Sequence, residues 1–377
     1  MAPERTLRTS VLAGACALAL ALSSTSAQQD ARSVRMGMGA RMGVQFHCTW
    51  THYSDAERRA VVSKLADAGV RHVRIDVGWS ALVPARRRLS RWHVRLADRC
   101  VNLARARGLA VLVTLLWTPS WANAGGDGAA PPRSVRDFAW FARRIARHFR
   151  GRVAAYEIWN EPDAPRFWSG DPAQYVRLLR AAYPAIKAGD RTAKVVFAGV
   201  QHNNVRWISA AYAAGAKGAF DVMATHPYQG VADLPPEAVG NRESWWLLTD
   251  VAAVRQLMVR RGDGRKPIWF TEFGWSVHDN DAGTAPWRRG VSAETQAAYL
   301  VRAITLIRAR FPYVTRAFWY KDVAVADEDA HEAGYGLLHV DLSPRPAYTA
   351  LKRLLAGARG ASQQHARGGR CANLDLT

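Results

Sequence analysis

Two short strings in this chain each end an apolar run on a carboxylate. One is Tyr156-Glu157-Ile158-Trp159-Asn160-Glu161-Pro162-Asp163, and the other is Ile268-Trp269-Phe270-Thr271-Glu272-Phe273-Gly274-Trp275. A carboxyl group that holds a proton and a second that is ionised can act together as general acid and nucleophile at a single carbon. Pro162 biases the residue before it toward an extended backbone, and Gly274 frees the chain to turn just after Glu272. Both carboxylates are therefore expected at strand exits, the position from which barrel enzymes run their chemistry.

Holding such a pair in register takes a rigid frame, and the periodicity supplies one. Apolar runs of strand length fall at 42–46, 72–77, 110–115, 155–159, 194–198, 222–225, 268–270 and 316–319. Between them, apolar residues recur at three-and-four spacing over 54–68, 91–107, 134–149, 172–187, 292–310 and 343–355, the period of amphipathic helices. Eight strands alternating with helices predict an α/β protein, a single (β/α)8 TIM barrel. A doubly wound open sheet also fits the alternation, but no Gly-rich nucleotide-binding turn follows the first strand.

The ends of the chain read differently. Arg5 and Arg8 precede an apolar stretch at 11–22, and Thr25 and Ala27 supply small residues after it. That is the pattern of a secretory signal peptide over 1–27, so the protein is expected to be secreted, extracellular or associated with the cell wall. Residues 28–35 read as a polar leader, 36–357 as the catalytic barrel, and 358–377, poor in apolar residues, as a mobile tail. No later stretch approaches the roughly 20 apolar residues of a membrane-spanning helix. Of the three cysteines past residue 27, Cys48 and Cys100 are the first pair to test for a disulfide, because Cys371 falls in the tail. His47, Cys48 and His52 match no zinc spacing, and neither a metal nor a cofactor is expected.

Lys and Arg number 52 against 31 Asp and Glu, a net charge of +21. Such an excess can attract an anionic glycan, an acidic cell wall or, nonspecifically, nucleic acid. The arginines are spread along the chain, which favours solvated helix faces, and no nucleic-acid-binding module is present.

Asn160-Glu161-Pro162 at the end of the fourth strand and Thr271-Glu272-Phe273-Gly274 at the end of the seventh resemble the clan A glycoside hydrolases, which are retaining (β/α)8 enzymes. Val73-Arg74-Ile75-Asp76 with Trp79 is similar to their second strand, Leu116-Trp117-Thr118-Pro119 with Trp121 to their third, His226-Pro227-Tyr228 to their sixth and Phe318-Trp319 to their eighth. Within the clan, Gly43-Val44-Gln45-Phe46-His47 and the Trp-rich third strand look most similar to family 39 and related bacterial exopolysaccharide hydrolases, with family 5 second.

The resemblance implies hydrolysis of β-glycosidic bonds in a neutral or anionic poly- or oligosaccharide, by double displacement. Glu272 would be the nucleophile and Glu161 the acid that later serves as base. Asn160 would bond the sugar's 2-hydroxyl, Arg74 and Tyr228 would hold Glu272, and His226 would bond sugar or neighbouring groups. Flat aromatic faces suit the C–H faces of pyranose rings, and the chain has 15 Trp. Trp319 is the expected platform beneath the sugar being cut, with Trp117, Trp275 and Trp79 further out and His47 a further substrate contact. A transglycosidase would use the same residues, whereas a noncatalytic carbohydrate-binding protein would need neither carboxylate.

Overall fold

The computed structural model describes residues 40–240 and 246–368. The expected signal peptide and leader, and Cys371, lie outside the described residues.

Nine strands make one parallel sheet: β1 (Arg41–Gln45), β2 (His72–Gly78), β3 (Ala110–Leu116), β4 (Ala155–Ile158), β5 (Lys194–Phe197), β6 (Val200–Gln201), β7 (Met223–His226), β8 (Ile268–Phe273) and β9 (Val314–Trp319). Their order is β5-β4-β3-β2-β1-β9-β8-β7-β6, and every pairing is parallel. The sheet curls, because Val196 on β5 bridges Val222, which leads into β7 near the other end of the order. Phe197 N–H donates to the Val222 carbonyl there at 2.9 Å.

Nine strands rather than eight arise from a break in the fifth. Only Ala198 and Gly199 separate β5 from β6, and β5 pairs with β4 while β6 pairs with β7. The backbone at the break serves other partners: Ala198 N–H donates to Tyr175 Oη at 2.8 Å and Gly199 N–H to Glu157 Oε1 at 3.0 Å. A side chain at Gly199 has no room, since a Cβ there would stand 2.1 Å from His226 Nε2 and 2.6 Å from Thr271 Oγ1.

The helices follow the expected alternation: α1 (Asp55–Asp67), α2 (Arg91–Ala106), α3 (Val135–His148), α4 (Pro172–Gly189), α5 (Val205–Ala213), α6 (Val251–Arg260), α7 (Ala293–Arg310) and α8 (Pro346–Gly368). Side chains fix several starts. Ser54 with Glu57 and Asp171 with Gln174 form capping boxes, and Ser90, Asn204 and Ser292 accept from the first-turn N–H groups of α2, α5 and α7. Both α5 and α6 are additional to the helices expected from periodicity. The last helix continues to Gly368, into the stretch expected as a tail. Among the described residues no helix is long and apolar enough to cross a membrane.

Alternation along the strands sends side chains to two cores. Leu112, Ala155, Val196, Val222, Ala224, Trp269 and Phe318 form a small cluster drawn from around the curl, and the larger cluster lies between sheet and helices. The Cys48–Cys100 disulfide, as expected, ties the loop after β1 to α2, with Cα atoms 5.7 Å apart.

Candidate active site

Glu161 and Glu272 meet in a cleft of about 1360 Å³ that His47, Trp117, Asn160 and Tyr228 also line. Glu161 lies just past the end of β4, but its backbone is not extended as Pro162 suggested: its φ is +39°, and that of Trp159 is +78°. The turn is fixed by Glu161 N–H, which donates to the Gly199 carbonyl at 2.9 Å. Left-handed conformations at such residues cost on the order of 1–3 kcal/mol and are held by surrounding contacts. Glu272 sits in β8 where the register against β9 shifts between Phe270 and Phe273, an irregularity that re-aims a side chain. Gly274 acts through space rather than by a left-handed turn. A Cβ there would stand 2.7 Å from the Tyr320 carbonyl and 3.2 Å from the Tyr335 ring.

The two carboxylates have separate partners. Glu272 Oε1 accepts from Arg74 Nη1 at 2.7 Å, and Oε2 accepts from Tyr228 Oη at 3.0 Å. Glu161 Oε1 lies 2.8 Å from His226 Nδ1, while Oε2 accepts from Gln201 Nε2 at 2.9 Å and from Arg166 Nη2 at 3.5 Å. His226 Nε2 is 3.0 Å from Thr271 Oγ1. One oxygen from each Glu and a His226 nitrogen all lie within 4.8 Å of one another. This donor set does not fit a metal, because both His226 nitrogens and both Glu272 oxygens are already engaged and the Arg74 guanidinium adjoins them.

Arg74, buried on β2, organises the floor of the cleft. It donates to Glu157 Oε2 at 2.7 Å, to Gln45 Oε1 at 2.9 Å and to Asn160 Oδ1 at 2.7 Å, besides Glu272. Glu157, wholly buried, also accepts from Thr114 Oγ1 at 2.8 Å. Burial works against the Arg74 cation, yet Glu157, Glu272 and Asp76 raise its pKa further above the ordinary value.

Burial pushes the Glu272 carboxyl above the usual carboxylate range, against the pull of His226 and Arg74. On Glu161 burial acts the same way, but the hydrogen bond and charge of His226, with Arg166 behind it, outweigh burial and hold the carboxyl low. His226 moves up, because Glu272 and Glu161 overcome the burial that would lower it. The two shifts together favour the shared proton on His226 Nδ1, facing an ionised Glu161.

Of the expected sugar platforms, Trp117 lines the cleft and three do not. Trp79 is buried against Trp121, Phe138 and Phe141. Trp275 donates its indole N–H to the Leu234 carbonyl at 2.9 Å, and Trp319 donates to the Tyr335 carbonyl at 3.1 Å; both are core residues. Successive strand residues face opposite ways, so Phe318 points into the inner cluster, Trp319 into the outer core, and Tyr320 takes the cleft wall. His47 lines the cleft with Nδ1 2.9 Å from Asp322 Oδ1. Glu157, Gln201, Arg166, Tyr320 and Tyr335 were not singled out in the sequence. Glu157 could have been, as a carboxylate inside an apolar strand, which calls for a buried cation.

A curled parallel β/α sheet that brings two carboxylates from strand exits into one cleft is the frame of the clan A glycoside hydrolases. Residues 37–305 match the family model described as cellulase (glycosyl hydrolase family 5), and the chain belongs to that family. The chain is 24% identical over 241 residues to a β-xylosidase of Caldicellulosiruptor saccharolyticus, covering 59% of this chain and 47% of that one. It is 30% identical over 127 residues to a probable glucan 1,3-β-glucosidase A of Aspergillus niger, covering 30% of each. The chain therefore spans about half or less of the length of these relatives. Its fold is similar to that of a family 39 glycoside hydrolase from Bacteroides cellulosilyticus WH2, with TM-score 0.67, 22% identity, and coverage of 85% of this chain and 64% of that one. A GH5_18 protein from Streptomyces cattleya, solved in complex with GlcNAc, gives TM-score 0.65 at 21% identity, covering 85% of this chain and 80% of that one.

Proposed function

We propose that the protein is a secreted retaining β-glycosidase that cleaves a poly- or oligosaccharide by double displacement, with Glu272 as nucleophile and Glu161 as acid and then base. The observation that carries this reading is the approach of the two carboxylates, which places one oxygen of each within 4.8 Å. Retaining enzymes hold their carboxyl groups about 5 to 5.5 Å apart, whereas inverting ones need about 6.5 to 9.5 Å to admit a water. The curated relatives are named for β-linked substrates, which supports the β linkage. In this reading the curled sheet is a closed (β/α)8 barrel over 36–357, β5 and β6 counting as one broken strand. Residues 1–27 are then the export signal and 358–377 a tail.

In the first step a Glu272 oxygen attacks the anomeric carbon as the bond to the leaving oxygen breaks. The proton on His226 Nδ1 passes through the Glu161 carboxyl to that oxygen, and an ester forms on Glu272. Esterification removes the Glu272 charge, so Glu161 ionises more readily and takes a proton from water in the second step. The water oxygen bonds to the anomeric carbon, and Glu272 leaves as a carboxylate. His226, Gln201 and Arg166 all favour the ionised Glu161 that this step needs. Asn160, fixed by Arg74 through Oδ1, keeps its amide donors for the 2-hydroxyl.

Two substitutions test the assignment. Glu272→Gln is expected to abolish turnover with the circular dichroism spectrum unchanged. Glu161→Gln should lower the rate on a natural glycan by about 10²- to 10⁴-fold while sparing attack on aryl glycosides whose leaving group needs no proton. Undiminished activity on the natural glycan in either variant would sink the assignment.

A further inference from the structure

Among the described residues every exposed tryptophan lines one of three adjoining cavities. Trp246 (48% exposed) and Trp287 (54%) line the main cleft, and Trp92 (51%) lines the farther of two smaller grooves beside it. The grooves, of about 330 and 280 Å³, adjoin the cleft and each other through shared lining residues. Cleft and first groove share Thr49, Trp50, Asp76 and Gly78, and the two grooves share Thr51 and Leu96.

Aromatic rings mark the route. His47 packs against Trp50 with centroids 4.1 Å apart, Trp50 against His52 at 5.5 Å, and His93 against Trp92 at 4.6 Å. Asp76 stands at the seam, where Oδ2 accepts from Gln45 Nε2 at 3.0 Å and Oδ1 faces Arg74 Nη1 at 3.7 Å. The walls of the grooves are fixed to one another, since the Cys48–Cys100 disulfide joins the loop of Trp50 and His52 to the helix of Trp92. A half-exposed indole forgoes much of the burial that would stabilise the fold, and a rigid flat ring is a surface on which the C–H face of a pyranose stacks.

We propose that the two grooves are outer subsites for a carbohydrate chain, so that a β-linked polysaccharide engaged at the carboxylates continues past Trp50 and Asp76 and stacks on Trp92. The enzyme then holds a chain well beyond the bond it cuts and favours polymers over short glycosides. The proposal rests on the reading of the cleft as a glycosidase site.

The test compares the wild type, Trp92→Ala and Trp92→Phe in two measurements. Electrophoretic retardation is read in gels containing linear β-glucan, β-xylan or β-mannan, and kcat/KM is read on the retarding polymer and on a 4-nitrophenyl β-glycoside. Trp92→Ala is expected to lose the retardation and about tenfold in kcat/KM on the polymer, to stay within about twofold on the aryl glycoside, and to be largely restored in Trp92→Phe. Unchanged polymer binding, an equal loss on both substrates, or a wild type retarded by none of the three polymers overturns the proposal. Failure of the glycosidase reading has a separate signature, full activity in Glu272→Gln, and the retardation assay does not depend on turnover.

Discussion

In the proposed mechanism Glu161, His226 and Glu272 determine how activity follows pH. Glu272 must be ionised to attack, and burial raises its pKa, so the rate falls with acidity through a value above the ordinary 4.5. The proton for the leaving group is drawn through Glu161 from His226, whose pKa is raised above 6.5, so the alkaline fall begins beyond that value. Plotted against pH, kcat/KM is expected to be a bell with its limbs above 4.5 and above 6.5, and a profile still flat below 4.5 contradicts this account. At this scale the sequence disclosed the groups whose type the chemistry dictates. Arg74, Asn160, Tyr228 and Glu272 fall in one hydrogen-bonded group and His226 with Glu161 in another, and the two meet where His226 Nδ1 stands 3.7 Å from Glu272 Oε2. The aromatic platforms were less legible, because a Trp at a strand end reads alike whether it faces core or cleft. A shift of one position, from Trp319 to Tyr320, exchanges the two.

The break between β5 and β6 shows how an element serves the site. Gly199 lets this crossing lie against His226, accept from Glu161 N–H and donate to Glu157 at once. Gly199→Ala places a methyl 2.1 Å from His226 Nε2, so the His226 ring must move and its 2.8 Å contact with Glu161 is disturbed. The expected outcome is a loss of about 1 to 3 kcal/mol in unfolding free energy together with at least a tenfold fall in kcat. Wild-type kcat in this variant would contradict the role given to His226. Most strands and long helices were legible from their period, with ends displaced by a residue or two. The break was not, since no propensity marks where a backbone leaves its ladder to serve side chains from other strands. Helices α5 and α6 also escaped, at nine and ten residues too short for a clear three-and-four pattern.

Over the whole molecule the charge is less evenly spread than the sequence suggested. Residues 86–194 contain 21 Lys and Arg against eight Asp and Glu, hence +13 of the chain's +21. Arg95 and Arg105 on α2, Arg143, Arg144 and Arg147 on α3, and Arg177 and Arg180 on α4 are exposed. The cleft is different: its lining includes Arg166 but also Asp76, Glu161, Glu272 and Glu332. Raising ionic strength from about 0.01 to 1 M shortens the screening length from about 30 to 3 Å, which should release the protein from immobilised polygalacturonate yet leave hydrolysis of a neutral aryl glycoside unchanged. A salt-sensitive rate on the neutral substrate would place the cationic field inside the cleft instead. Net charge is legible from composition, but its gathering on neighbouring helices depends on which helices the fold makes neighbours.

The central claim, a covalent intermediate on Glu272, is tested most directly by the mass of the peptide that contains it after reaction with activated 2-deoxy-2-fluoro-β-glycosides of the gluco, xylo and manno series. The account predicts one added glycosyl mass on that peptide and none in Glu272→Gln. An adduct on any other residue, or no adduct from a glycoside that the enzyme hydrolyses, would contradict it.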